Sequence, residues 1–146
     1  MNAILTGITG NLGYEIAADL KTRSIKVVPI IRPEKVGPFW DQFEEIIKND
    51  LIAGPAIEFS GQADCIVHCA GIVNFKNAGN INEQMLVKII DLARRLQIPV
   101  YFVSTAFLYR PTAEGTNFNN SYEKDKWQAE QILINSKIPY AIFRPS

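Results

Sequence analysis

Apolar residues occur in short continuous runs, and helical-period stretches separate them. The runs NAILT (2–6), KVVPII (26–31), DCIVHCA (64–70), VYFVST (100–105) and YAIF (140–143) alternate little, which is the pattern of strands covered on both faces. The intervening NLGYEIAADLKTR (11–23), INEQMLVKIIDLARRL (81–96) and SYEKDKWQAEQILINS (121–136) read as helices. In the second of these, Met85, Ile89, Leu92 and Leu96 recur at helical spacing, and Ile98-Pro99 closes the helix before the next strand. Asn120 with Glu123 three residues on is a start signal for the third, an N-cap followed by a side chain able to reach back. Strands alternating with helices predict an α/β fold, a doubly wound parallel sheet with helices on both faces. Two places fit this pattern poorly. Pro29 falls inside the second strand, where an internal position loses a ladder hydrogen bond, and residues 33–60 are irregular for a helix-plus-strand unit.

With 146 residues, 47% apolar and 21% charged, the chain has the make-up of one domain with its own core, spanning residues 1–146. Fifteen basic residues balance fifteen acidic ones and no like-charge run occurs, so nucleic acid and anionic membrane surfaces are not expected partners. Cys65 and Cys69 stand at i and i+4 of a strand, too far apart for a disulfide and without metal-ligand spacing, and read as core thiols of a reducing compartment. The chain opens on a strand rather than a charged leader, and no apolar run approaches bilayer-spanning length, so the expected location is cytoplasmic.

The segment LTGITGNLG (5–13) follows a strand and opens a helix, which is the setting a phosphate-binding loop needs. Gly7 permits a tight turn, Gly10 lets backbone N–H groups approach a pyrophosphate, and Gly13 allows close helix packing. Thr9, Asn11 and Leu12 complete the loop and the first helical turn, whose free N–H donors favour an anion. A glycine-rich turn that binds nothing is the plainer alternative; strand, spacing and helix together favour a dinucleotide. At the end of the second strand an acid would accept hydrogen bonds from the adenosine ribose, but the sequence there is IIRP. Arg32 favours NADP over NAD, the alternative being a plain surface cation. Tyr122 and Lys126 share one helix face; alone, the pair is equally a solvated polar face or an acid/base with its activator.

Five segments, TGITGNLG, DCIVHCAGIVNF, YFVSTAFLY, SYEKDKWQAEQIL and FRPS, resemble the extended short-chain dehydrogenase/reductase superfamily (epimerase/dehydratase-like) in type and order. They most resemble its thioester-reductase and fatty-acyl-reductase (male-sterility-like) branch. The resemblance implies a Rossmann sheet of strand order 3-2-1-4-5-6, truncated before the C-terminal region that builds most of the substrate pocket. It implies that Asp50 and Leu51 contact the adenine ring, that Ala70 and Gly71 pass the cofactor, and that Pro145 binds it. It implies that Asn82 helps hold the active-site geometry, that Thr105 is the active-site Ser/Thr, and that Tyr122 is the acid/base. Lys126 would lower the phenol's pKa and hydrogen-bond the nicotinamide ribose. The implied activity is NADP(H)-dependent reduction of an acyl thioester or carbonyl, on a small-molecule or carrier-bound acyl substrate. Superfamily members often dimerise through helices that include the Tyr/Lys helix, so resemblance alone implies a homodimer. Two other readings stay open: an NAD-dependent sugar-nucleotide epimerase or dehydratase, which Arg32 and the VNF after HCAG disfavour, and a non-catalytic NAD(P)-binding or interaction protein.

Overall fold

The computed structural model describes residues 1–35, 37–73, 79–109 and 118–145. Asn74 and Phe75 of the VNF stretch, Arg110 and Ser146 lie outside the described residues. Along the chain come β1 (Asn2–Thr6), α1 (Asn11–Thr22), β2 (Lys26–Ile31), β3 (Ile47–Lys48), β4 (Cys65–His68), α2 (Ile81–Leu96), β5 (Val100–Val103), α3 (Ser121–Asn135) and β6 (Tyr140–Phe143). All neighbouring strands pair in parallel, in the order β3-β2-β1-β4-β5-β6. This is the expected doubly wound Rossmann arrangement. The chain builds outward from β1 to β3, then returns to place β4 against the other side of β1. The carboxyl ends of β1 and β4 therefore diverge into a crevice, where open α/β sheets bind ligands.

Alternation along the strands assigns side chains to two cores. Ile4, Val28, Ile30, Ile66, Val100 and Phe102 face α2 and α3, where Leu86, Ile89, Leu92, Ala129 and Leu133 pack on them. Leu5, Val27 and Ile31 face the opposite way, toward Ala17 and Leu20 of α1 and toward Trp40. β1 and β2 are accordingly buried on both faces, as their continuous apolar runs predict. β5 and β6 depart from that expectation. β5 alternates buried and half-buried residues, and no residue of β6 is fully buried, because α2 and α3 cover one side only.

Pro29 costs no ladder bond. The Ile31 carbonyl accepts from Asn49 N–H at 2.8 Å, so Ile31, and Pro29 two residues earlier, present their backbone groups toward β3. β3 pairs only with Ile30 and Ile31, so nothing stands opposite Pro29 to receive an N–H. At that level β2 is an edge strand, where proline is tolerated. The irregular segment between β2 and β3 contains a 3-10 turn at Pro38–Gln42 and, among its described residues, no α-helix. At the start of α3, Asn120 Oδ1 accepts from Glu123 N–H at 2.9 Å as expected, while the Glu123 carboxylate reaches one residue further back and accepts from Asn119 N–H at 2.9 Å.

Candidate active site

The loop between β1 and α1 is shaped by two close approaches. Gly7 has φ +76°, and a Cβ there would lie 2.6 Å from Ala70 N, so the loop can cross the end of β4 only as glycine. A Cβ on Gly13 would lie 2.2 Å from the Gly7 carbonyl oxygen, so the glycine seats α1 on the loop itself rather than on the sheet. Gly10 is the N-cap of α1 and offers no side-chain cap, and no acid stands in the first turn, so the helix N-terminus is left to an external anion.

A cleft of about 370 Å³ opens from this loop. Gly7, Thr9 and Gly10 form its floor, Ala70, Gly71 and Ile72 one wall, and Asp50, Leu51 and Ile52 the other, with Arg32 and Lys35 at the end of β2. Of the cofactor residues expected from sequence, Gly7, Thr9, Gly10, Arg32, Asp50, Leu51, Ala70 and Gly71 meet here. Leu12 and Pro145 do not. Their side chains line a separate apolar recess of about 550 Å³ over the half-open face of β4, β5 and β6, with Ile16, Val67, Tyr101 and Phe143. Asn11 sits in the first turn of α1 with its side chain in solvent.

Both walls are pinned from α2. The Lys88 ammonium donates to the carbonyls of Asp50 and Ile52 at 3.3 Å and also to that of Gly54, gathering the turn against the helix. Asp50 caps the same turn through the N–H groups of Ile52 and Ala53 at 2.8 and 3.0 Å, bonds that hold its carboxyl below the usual aspartate range. On the other wall, Asn82 Oδ1 accepts from Ile72 N–H at 2.9 Å and its amide donates to Ile72 C=O at 3.1 Å. Asn82 is buried in the first turn of α2, two places past the Asn80 N-cap, so it is not a cap of its own helix.

Behind the Gly71 wall of the cleft stand Thr105, Tyr122 and Lys126, all buried. Thr105 follows β5, and its hydroxyl hydrogen-bonds Tyr122. Lys126 Nζ donates to the Val103 carbonyl at 2.8 Å and stands 4.5 Å from the Phe102 ring centroid. It also neighbours the cleft wall, 3.7 Å from where a Gly71 Cβ would be. The electrostatics differ from those expected. Burial raises the Tyr122 phenol above its ordinary value, Asp125 pushes the same way, and the opposing pull comes from the Thr105 hydrogen bond rather than from Lys126. Burial in turn brings Lys126 down to about 8, against the attraction of Asp125 and Glu130.

Beneath the cleft, Thr6 Oγ1 and His68 Nδ1 lie 2.7 Å apart, and Thr6 Oγ1 accepts from Ala70 N–H at 3.0 Å. Of the two cysteines, both free thiols, Cys65 is buried as expected, whereas Cys69 lines the cleft, its pKa pushed up to about 11 chiefly by burial. Among the described residues no group of three or more His, Cys, Asp or Glu could hold a metal, and no helix is long and apolar enough to cross a membrane. Reading the sequence alone misses Lys35, Lys88 and Asp125. The spacing of Arg32 and Lys35 after a β2 that ends without an acid is the one local signal for any of them.

A parallel sheet with a glycine cradle at its β1/β4 switch point defines the class: a dinucleotide-binding α/β fold. The profile of the NAD dependent epimerase/dehydratase family matches residues 3–146, and the chain belongs to that family. Among curated proteins it is similar to the hybrid PKS-NRPS synthetase thnA of Trichoderma harzianum, 23% identical over 97% of this chain and 4% of that protein. Among solved structures it is similar to a thiolation-reductase di-domain from an archaeal non-ribosomal peptide synthetase, with TM-score 0.79, 19% identity, and coverage of 98% of this chain and 51% of that one. It is also similar to the Bordetella bronchiseptica enzyme WbmH in complex with NAD+, with TM-score 0.71, 18% identity, and coverage of 98% and 55%. The chain thus spans about half the length of these solved structures and a small part of the synthetase.

Proposed function

We propose that residues 1–146 are the cofactor domain of an NADP(H)-dependent reductase of the thioester-reductase type, acting on an acyl thioester or carbonyl presented as a small molecule or on a carrier. The observation that carries this reading is the Thr105–Tyr122 hydrogen bond, with Lys126 on the same helix 3.7 Å from where a Gly71 Cβ would be, on the wall of a cleft that starts at an uncapped glycine cradle. The likeness to a thiolation-reductase di-domain and to a PKS-NRPS synthetase supports the acyl-thioester substrate.

The cleft fits a dinucleotide by its own construction. The loop has no room for a Cβ at Gly7 or Gly13, and α1 presents unclaimed N–H groups to a pyrophosphate. Leu51 and Ile52 give an apolar wall for an adenine ring. Arg32 and Lys35 offer two cations to a 2′-phosphate. Arg32 is 3.3 Å from Glu34, but both side chains are mostly exposed, a pair worth about 0–1 kcal/mol that a phosphate readily displaces.

The bound dihydronicotinamide would supply the hydride. Tyr122 would give its hydroxyl proton to the oxygen of the carbonyl being reduced, and Thr105 would donate a hydrogen bond to that oxygen as charge develops. Lys126, anchored on Val103 beside Gly71, would hold the ribose and replace part of the phenolate's lost hydration once a ligand excludes water. A second reading, an NAD-dependent sugar-nucleotide epimerase or dehydratase, draws on the family's NAD-dependent description and on the NAD+ complex of WbmH.

Titration with NADPH and NADH, followed by fluorescence, separates the two. NADPH should bind at least about tenfold tighter than NADH, and Arg32→Ala should erase most of that preference. Equal affinities, or equal losses for both cofactors, favour the NAD reading. Tyr122→Phe should leave NADPH binding nearly intact and abolish hydride transfer to an acyl-thioester or aldehyde acceptor.

A further inference from the structure

Asp125 stands between the two residues assigned to catalysis, yet its side chain points away from them into α2. Its carboxylate is buried, and Oδ2 accepts from Asn82 N–H at 3.0 Å and from Asn82 Nδ2 at 2.7 Å. Oδ1 accepts from Glu83 N–H at 3.1 Å. One carboxylate from α3 thus claims two first-turn N–H groups of α2, plus the side chain that clamps both backbone groups of Ile72. We propose that Asp125 is a positioning residue that fixes the Ala70–Ile72 wall of the cleft, through Asn82, in register with Tyr122 and Lys126.

The chain of contacts is short, and Asp125 and Asn82 at its centre are buried. A rigid helix carries Tyr122, Asp125 and Lys126 within a single turn, so wherever Asp125 is held, the other two are held. Asn82 has one amide to orient. With Oδ1 committed to Ile72 N–H, its Nδ2 must find acceptors, and Asp125 and the Ile72 carbonyl supply them. Only a group that accepts at both oxygens satisfies Asn82 and Glu83 together. Asp125→Asn would turn an NH2 toward one of these donors and release either the helix end or the clamp. Gly71 lies inside this link, since a Cβ there would be 3.0 Å from Asn82 Oδ1 and 3.7 Å from Lys126 Nζ. The wall and the lysine therefore share one register.

The inference rests on the dinucleotide reading for its effect on ligand, and on the hydrogen bonds alone for its effect on the backbone. Two measurements on the 146-residue chain separate these. Hydrogen exchange of Asp125→Asn should rise selectively at Ile72, Asn82 and Glu83, while the amides of β1 and β2 keep wild-type rates. Affinity for NADPH should fall about tenfold, while affinity for adenosine 2′,5′-bisphosphate, which lacks the nicotinamide half, stays within about twofold of wild type. A residue that merely stabilised the domain would raise exchange throughout and leave both affinities alone, and that result overturns the proposal. Equal loss for both ligands overturns it as well. If the wild-type chain binds neither ligand, the dinucleotide reading fails and exchange decides: unchanged rates at Ile72 overturn the link, selective increases uphold it. Asp125→Glu, which keeps the charge but moves the oxygens by one methylene, should repeat the pattern if Asp125→Asn is insoluble. Failure of both variants to fold would show a general structural role and overturn the proposal.

Discussion

His68 is fully buried in the middle of the sheet, stacked on Phe102 with ring centroids 5.6 Å apart and bonded through one nitrogen to Thr6. Its Nε2 has no hydrogen-bond partner among the described residues. Burial, with Lys126 nearby, lowers its pKa from 6.5 to about 3. Between these values the unfolded chain binds a proton that the folded chain does not, so stability is intact above 6.5 and is lost as pH falls toward about 3. Denaturant midpoints measured across that window should fall steeply in the wild type, and His68→Gln, which has no such titration, should flatten the decline. An unchanged slope would place the acid sensitivity elsewhere. DCIVHCA reads as a strand covered on both faces, but nothing in it shows what this histidine bonds, because its partner Thr6 is 62 residues away. Asp125 is hidden in the same way: it looks like one more charge in a polar helix, and only α2 gives its carboxylate a use.

At the scale of elements, α3 has the weakest claim to form by itself, since few of its residues are apolar and its buried positions include Glu123, Asp125, Lys126 and Glu130. Its start is fixed by Asn120 and Glu123. Asn120→Ala should cost about 1 kcal/mol in unfolding free energy. The same change should loosen the Tyr122 turn first, read as faster amide exchange in the first turn of α3 than in the last. Equal exchange along the helix would refute a role for the cap in holding the site. Glu130, fully buried, is held by Arg144 after β6 at 2.9 Å through Nε, a tie from the helix to the edge of the sheet. The helices, the five longer strands and this cap were all legible from period and capping residues. β3 was not, because two residues of strand carry no periodicity, and Pro29 misled because the length of β3 decides whether its missing N–H matters.

For the whole molecule, the two faces of the sheet are unequal. The face under α2 and α3 holds the larger core, whereas the opposite face of β4, β5 and β6 is a recess bordered by Leu12 and by Phe143, 54% exposed. Leu92→Ala, at a fully buried site, should cost about 2–5 kcal/mol by chemical denaturation. Phe143→Ala should cost about 1 kcal/mol or less and reduce binding of a hydrophobic dye to the folded chain. The reverse ranking would mean that the recess, and not the α2/α3 face, carries the stability.

By itself the sequence determined the order of elements, the glycine loop and the Tyr122/Lys126 spacing, since each depends on neighbours within one or two helical turns. The two-sided burial of β1 and β2 was also written there. Tertiary structure alone decided what those residues meet. It directed the Leu12 and Pro145 side chains to the recess rather than the cleft, and brought Lys35 to the cleft beside Arg32. It set Thr105, not Lys126, as the group that opposes the rise of the Tyr122 pKa, and joined Asp125 to Asn82 across 43 residues. A hydrogen bond or a pKa depends on distance and burial, and for partners this far apart in the chain only the packed sheet and helices fix either one.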